Sequence, residues 1–333
     1  MSALPARKRS FCQVDSSGTP NALLFPNSRR CGQALEETSD EIDTVNALKG
    51  CVSESQPSPT AWDDTDTKYF ADTVSKADKF RRYEEAKLRV REFYKEQHSK
   101  QTVAYNLKAR CMMNTKKRAR MGVWAAIEKL NTLIDDSDPD IELSQIQHLL
   151  LTAEAIRRDN KPRWMQLTGL IHDLGKLLYF FDAEGQWDVV GDTFVVGCKF
   201  PPECIFPETF KANPDYKHPI YSTQYGIYKP HCGLDNVMLS FGHDEYLYQI
   251  CKQQSSLPEE ALAMIRYHSF YPWHREGAYR HLMAPKDHEL LKAVQAFNPY
   301  DLYSKDDTLP DVDKLKPYYM ELIAEYFPPL VDF

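Results

Sequence analysis

The sequence predicts an all-α protein with one short β-hairpin. Apolar residues recur at helical spacing through most of the chain after about residue 66, and a single β-branched segment interrupts them. The first 65 residues are rich in serine and proline and poor in aromatics, too polar to help form a core. The 333 residues are 42% hydrophobic and 12% aromatic, enough to bury one large core or two modest ones. A disordered tail over 1–65 followed by one helical catalytic domain over 66–333 is therefore expected.

The elements follow in order. Phe80, Tyr83, Lys87, Val90 and Tyr94 step along one face of a helix expected over about 76–98. Helices are expected near 102–113 and 121–133, and Ile146, Leu149, Leu150, Ala153 and Ile156 give another near 143–158. The strongest stripe is Leu167, Leu170, Ile171, Leu174, Leu177, Leu178 and Phe181, which leaves His172, Asp173 and Lys176 beside it and predicts a central helix. WDVVGDTFVV (187–196) reads as two β-branched runs joined by Gly191-Asp192, a hairpin whose glycine takes a positive φ. Helices near 235–254, 258–268, 286–297 and 311–326 complete the chain, the last capped by Asp311 or Asp313.

Composition removes several function classes. A net charge of −7 argues against nucleic acid as a partner, since phosphate contacts need a basic face. The cluster Lys116, Lys117, Arg118 and Arg120 reads as a solvated helix end. The eight cysteines form no C-x-x-C pair, which points to a reducing compartment, and no apolar run reaches the ~18 residues of a membrane span. Arginines and serines near the start faintly resemble a transit peptide, but the acidic stretch from Glu36 to Asp43 follows closely. A cytoplasmic, monomeric protein acting on a small molecule is expected, with no membrane partner. Neither a P-loop nor a G-x-G-x-x-G turn is present to cradle a nucleotide.

Four of the ten histidines, His148, His172, His243 and His268, stand in helices or at helix ends beside apolar stripes. Imidazole is the commonest protein ligand for transition metals, although one buried histidine alone more often bonds backbone. The pairings carry more weight. Adjacent helical residues diverge by about 100°, so His172 and Asp173 can bind one ion or flank two, and a carboxylate can bridge. Gly175 within the same predicted helix costs about 1 kcal/mol relative to alanine, which implies that something packs close against its backbone. Lys176, one turn after His172, is expected on the same face. An ammonium there needs an anionic partner; otherwise it is an idle surface group.

The His-Asp doublet with single histidines before and after it resembles the HD-domain superfamily of helical metalloproteins. A closer resemblance, to the myo-inositol oxygenase family, runs over about 79–333. FRRY (80–83), DDSDPD (135–140), TAEAIR (152–157), HDLGK (172–176) and VVGDTFVVGC (189–198) carry its first half. YSTQYGIYKPHCGLDNV (221–237), GHDEYLY (242–248), RYHSFYPWH (266–274), FNPYDLYSK (297–305) and LPDVDKLKPYY (309–319) carry the rest. The resemblance implies a helical bundle around a dinuclear site. It places one iron on His148, His172, Asp173 and Asp301 and a second on Asp173, His243 and His268, with Asp173 as the bridge. Four imidazoles and two carboxylates suit iron but equally admit manganese, cobalt or zinc, so the choice of iron rests on the family.

The family's substrate contacts fall on Arg81, Asp135, Ser137, Lys176, Gly191, Asp192, His268 and Ser269, with Lys176 and Asp173 closest to the chemistry. Such small donors and acceptors fit a hexahydroxy ring. The implied reaction is the O2-dependent ring cleavage of myo-inositol to D-glucuronate at a mixed-valent Fe(II)/Fe(III) pair. A metal-dependent phosphohydrolase on the same scaffold is the alternative, with the metals activating water instead of O2.

Overall fold

The computed structural model describes residues 88–134, 144–181, 183–303 and 309–333. Helix α1 (Leu88–Lys100) buries Val90, Phe93, Tyr94, Gln97 and His98, a run at three- and four-residue spacing that lays one face on the core. The first part of the predicted 76–98 helix lies outside the described residues, as does the 1–65 tail. The Thr102 side chain accepts from the Tyr105 amide and starts α2 (Val103–Thr115). Strand β1 (Arg120–Met121) follows, then α3 (Val123–Leu130). Strand β1 pairs antiparallel with β2 (Val331–Asp332), which holds the C-terminal residues against the body, and Lys117 and Arg120 of the basic cluster face Asp332.

Helices α4 (Gln145–Arg158) and α5 (Arg163–Ile171) pack directly on each other. A Cβ at Gly169 would fall 2.7 Å from Ile156 Cδ1 and 3.1 Å from the Ala153 backbone, so glycine is what lets the two helices approach. Leu149, Leu150, Ile156, Leu167, Leu170 and Ile171 are fully buried there. At roughly 1.5–3 kcal/mol for each large side chain removed from water, that packing fixes the register of His148 against His172.

The central helix predicted through 167–181 is not continuous. The α-helix stops at Ile171, Asp173 has φ −91° and ψ −1°, and Leu174–Phe180 continues as a 3-10 helix. After it come α6 (His243–Gln254), α7 (Glu259–Tyr267), α8 (Tyr271–His274), α9 (Pro285–Tyr303) and α10 (Val312–Tyr326), the last capped by Asp311. Helix α6 begins eight residues later than the pattern predicts, and α9 runs on through Pro299 and so includes Asp301.

The all-α reading holds, but the hairpin at 187–196 does not form. Residues Trp187–Val190 and Asp192–Val196 are buried on both faces, whereas a hairpin with a wet face needs alternation. The segment instead bonds to distant loops: Val196 N–H to Met238 O (2.9 Å), Ser240 N–H to Phe194 O (2.7 Å) and Thr193 N–H to Ser269 O (2.8 Å). Gly191 does take a positive φ, of 91°. Among the described residues β1 and β2 are the only paired strands, and no helix is long and apolar enough to cross a membrane.

Candidate metal centre

Every candidate ligand sits where a helix begins or ends or two helices meet. His172 directly follows α5 and His268 directly follows α7, each with an N–H at Nδ1 donating to the carbonyl three residues back, Gly169 and Ile265, at 2.9 Å. His243 opens α6 with Nδ1 donating to Val189 O at 2.8 Å. A carbonyl only accepts, so in all three rings Nδ1 carries the hydrogen and Nε2 presents a lone pair. His148 projects from α4, and Asp301 from the last turn of α9 below Phe297, whose ring lies 5.5 Å from that of His172.

The Nε2 atoms converge in two pairs. His148 and His172 are 3.2 Å apart, as are His243 and His268. Asp301 Oδ1 lies 3.2 Å from the first of these nitrogens and 3.1 Å from the second. Asp173 stands between the pairs: Oδ2 is 3.7 and 3.6 Å from His148 and His172, and Oδ1 is 3.4 and 3.5 Å from His243 and His268. The structure thus brings together all six residues of the predicted ligand set. Together with a seventh residue, Asp244, their donor atoms fall into overlapping trios, each within 4.8 Å: His148, His172 and Asp301; His172, Asp173 and His268; and His243, Asp244 and His268.

The electrostatics fit cations at both positions. Two buried imidazole nitrogens 3.2 Å apart cannot both turn lone pairs toward each other without cost, and a proton or a metal cation between them relieves this. Protons compete for the same places. Burial lowers the proton affinity of His243, yet Asp244 and Asp173 outweigh it and push the imidazole up to about 10. Burial works against Asp173 as well, but the Lys176 ammonium and the neighbouring imidazoles hold its carboxyl well below the usual range. Asp301 is held low against burial by His172 and His148. A set of imidazoles and carboxylates suits a first-row transition metal.

Lys176 is not a surface group. Its side chain is 11% exposed and Nζ donates to Asp173 Oδ2 at 2.8 Å. The 3-10 geometry eclipses residues three apart, so the lysine stacks over Asp173 and not over His172 as a continuous helix would place it. The closeness inferred at Gly175 is also real, since a Cβ there would lie 2.1 Å from the His243 carbonyl oxygen. Ser269 Oγ is 3.3 Å from both His243 Nε2 and Asp244 Oδ1. Asp192 is buried and accepts from the Tyr94 hydroxyl at 2.9 Å, and a Cβ at Gly191 would strike the Phe93 ring. Arg81, Asp135 and Ser137 lie outside the described residues.

Residues 87–333 match the family model described as myo-inositol oxygenase. The chain is 48% identical over 272 residues to an inositol oxygenase of Dictyostelium discoideum, covering 80% of this chain and 93% of that one. It is 49% identical over 256 residues to inositol oxygenase 1 of Arabidopsis thaliana (75% and 82%) and 46% identical over 259 residues to the inositol oxygenase of Rattus norvegicus (76% and 90%). The chain belongs to the myo-inositol oxygenase family. It is accordingly an oxygenase, and the histidine–aspartate cluster is its candidate metal centre.

Within this family member, sequence reasoning missed Asp244. Its Oδ1 lies 2.7 Å from His243 Nε2 and 3.4 Å from His268 Nε2, and it is as buried as the histidines. Burial would raise its carboxyl, but His243 and His268 hold it below the usual range. The signal was present: GHDEYLY contains a second His-Asp doublet, the counterpart of His172-Asp173.

Proposed function

We propose that this chain is a diiron oxygenase that opens the ring of myo-inositol with O2 to form D-glucuronate. The observation that carries the reading is one buried carboxylate, Asp173, whose two oxygens face two separate histidine pairs. In this reading His148, His172, Asp173 and Asp301 hold one iron and Asp173, His243 and His268 the other. Bound there, the irons supply Lewis acidity toward substrate oxygens and redox equivalents toward O2, working from the Fe(II)/Fe(III) state.

The protein's own groups bind and orient. Lys176 keeps one positive charge against Asp173 and compensates negative charge arising on substrate oxygens. Gly191 lacks the Cβ that would collide with Phe93 and Gln97, which lets the turn that presents Asp192 pack against α1. Asp192 and Ser269 offer an acceptor and a hydroxyl for inositol hydroxyls, and Arg81, Asp135, Ser137 and His268 complete the predicted contacts. The balance is one inositol and one O2 to one glucuronic acid and one water, a four-electron oxidation that needs no external reductant.

The test is to load the full chain with iron, reduce it partially, and follow O2 uptake and glucuronate with myo-inositol as substrate. One O2 consumed per glucuronate formed supports the reading. Phosphate release from an inositol phosphate without O2 uptake would instead select the phosphohydrolase chemistry.

A further inference from the structure

The ligand set drawn from the family gives the first metal position four residues and the second only three. The structure is more symmetric than that. Asp244 Oδ1 meets Nε2 of His243 and His268 at 2.7 and 3.4 Å, much as Asp301 Oδ1 meets Nε2 of His148 and His172 at 3.2 and 3.1 Å. Both histidine pairs are separated by 3.2 Å. Neighbouring ligand atoms on one six-coordinate ion with bonds of about 2.1 Å lie about 3 Å apart, so both aspartates stand at ligand spacing.

Asp244 is 2% exposed, and the charged or titratable groups that face it are His243 and His268. Its remaining partners are hydroxyls: Thr193 Oγ1 donates to Oδ2 at 2.9 Å and Ser269 Oγ to Oδ1 at 3.3 Å. A buried carboxylate needs a cation or several donors to offset its desolvation. Both hydroxyls belong to the segments expected to receive substrate, since Thr193 follows Gly191-Asp192 and its amide is bonded to the Ser269 carbonyl.

We propose that Asp244 is a fourth protein ligand of the metal held by His243, His268 and Asp173 in the substrate-free protein, and that inositol hydroxyls displace it. The inference rests on the dinuclear reading above and deepens it. Displacement need not strand the carboxylate, which keeps Thr193 and Ser269 and can accept from an incoming hydroxyl. It also spares the second position from holding loosely bound waters until substrate arrives.

The experiment uses the full chain carrying Asp244→Asn, nearly isosteric but uncharged, with Thr193→Ala as the companion that keeps the carboxylate and removes one hydrogen bond. Fe(II) and Co(II) titrations are followed by calorimetry, and the Co(II) ligand-field bands are recorded with and without inositol. Without inositol, Asp244→Asn should bind the second metal equivalent roughly 10- to 100-fold more weakly, the first equivalent unchanged, with shifted bands. Saturating inositol should narrow that gap and merge the spectra, and Thr193→Ala should keep the parental bands throughout. Parental affinity and bands in Asp244→Asn without inositol would overturn ligation by Asp244. An undiminished gap at saturating inositol would overturn its displacement. A parent chain binding one equivalent alone would overturn the dinuclear reading and this inference together.

Discussion

Replacing Gly175 by alanine sets two physical effects against each other. Alanine is favoured over glycine in helical backbone by about 1 kcal/mol, so local propensity predicts a gain in stability. Sterics predict the reverse. The added Cβ would lie 2.1 Å from the His243 carbonyl oxygen, 2.8 Å from its carbonyl carbon and 3.0 Å from its Cα, where ordinary contact begins at 3.4 Å. The obstacle is backbone at the start of α6, so no side chain can swing aside and the two segments must part by more than 1 Å. Overpacking of this kind costs about 1–3 kcal/mol, and at the upper end it exceeds the propensity gain. The same shift carries His243 Nε2 away from His268, and a misplacement of about 1 Å near reacting groups can cost on the order of 10² in rate. Urea denaturation and metal titration of Gly175→Ala should therefore show a net loss of up to roughly 2 kcal/mol and weaker binding of the second metal equivalent. A variant as stable as the parent or more so, with unchanged metal affinity, would refute the close-approach argument.

Three further perturbations test separate parts of the account. Arg266 and Glu245 form a buried ion pair (2.9 Å) joining α6 to α7 behind His243 and His268, so Arg266→Met should cost about 3–5 kcal/mol in urea denaturation. Adding Glu245→Gln should recover part of that loss, and no recovery would contradict the pairing. Buried His98, stacked 3.7 Å from Phe210, has its imidazole pushed down to about 3 by burial. Below pH 6.5 the unfolded chain takes up a proton that the folded chain refuses, so stability is intact above that pH and falls on acidification by about 1.4 kcal/mol per unit. His98→Gln should flatten the metal-free stability profile between pH 6.5 and 5 relative to the parent, and parallel profiles would exclude this cause. Lys176→Ala should keep its metals while losing roughly 10² to 10³ in rate, and a near-parental rate would mean the ammonium does nothing for turnover.

Much of the helical order was legible because apolar spacing is written locally, and the four histidines and Asp173 stood out by residue type and position, whereas Asp301 entered only through the family resemblance. Leu149, Leu150 and Ile156 mark the buried face of α4, and a glycine at 175 within a helical stripe marks the close approach of the His243 backbone. What failed was decided by partners distant in the chain. Val189–Val196 has hairpin composition, but Met238, Ser240 and Ser269 claim its backbone groups. The stripe through Phe181 has helical period, yet the chain tightens at Asp173 so that Lys176 stacks on the carboxylate it neutralises. Asp244 went unread although its doublet repeats that of His172-Asp173, because a doublet alone does not say which way its aspartate points. Only the packing of α6 against α7 and the 191–193 segment aims it at His243 and His268.

The central claim, two irons sharing Asp173, is tested most directly by anomalous diffraction at the iron absorption edge on crystals of the iron-loaded chain. The account predicts two peaks of comparable height, one within bonding distance of His148, His172 and Asp301 and the other of His243 and His268, with Asp173 ligating both. A single peak, or a pair that Asp173 does not bridge, would contradict it.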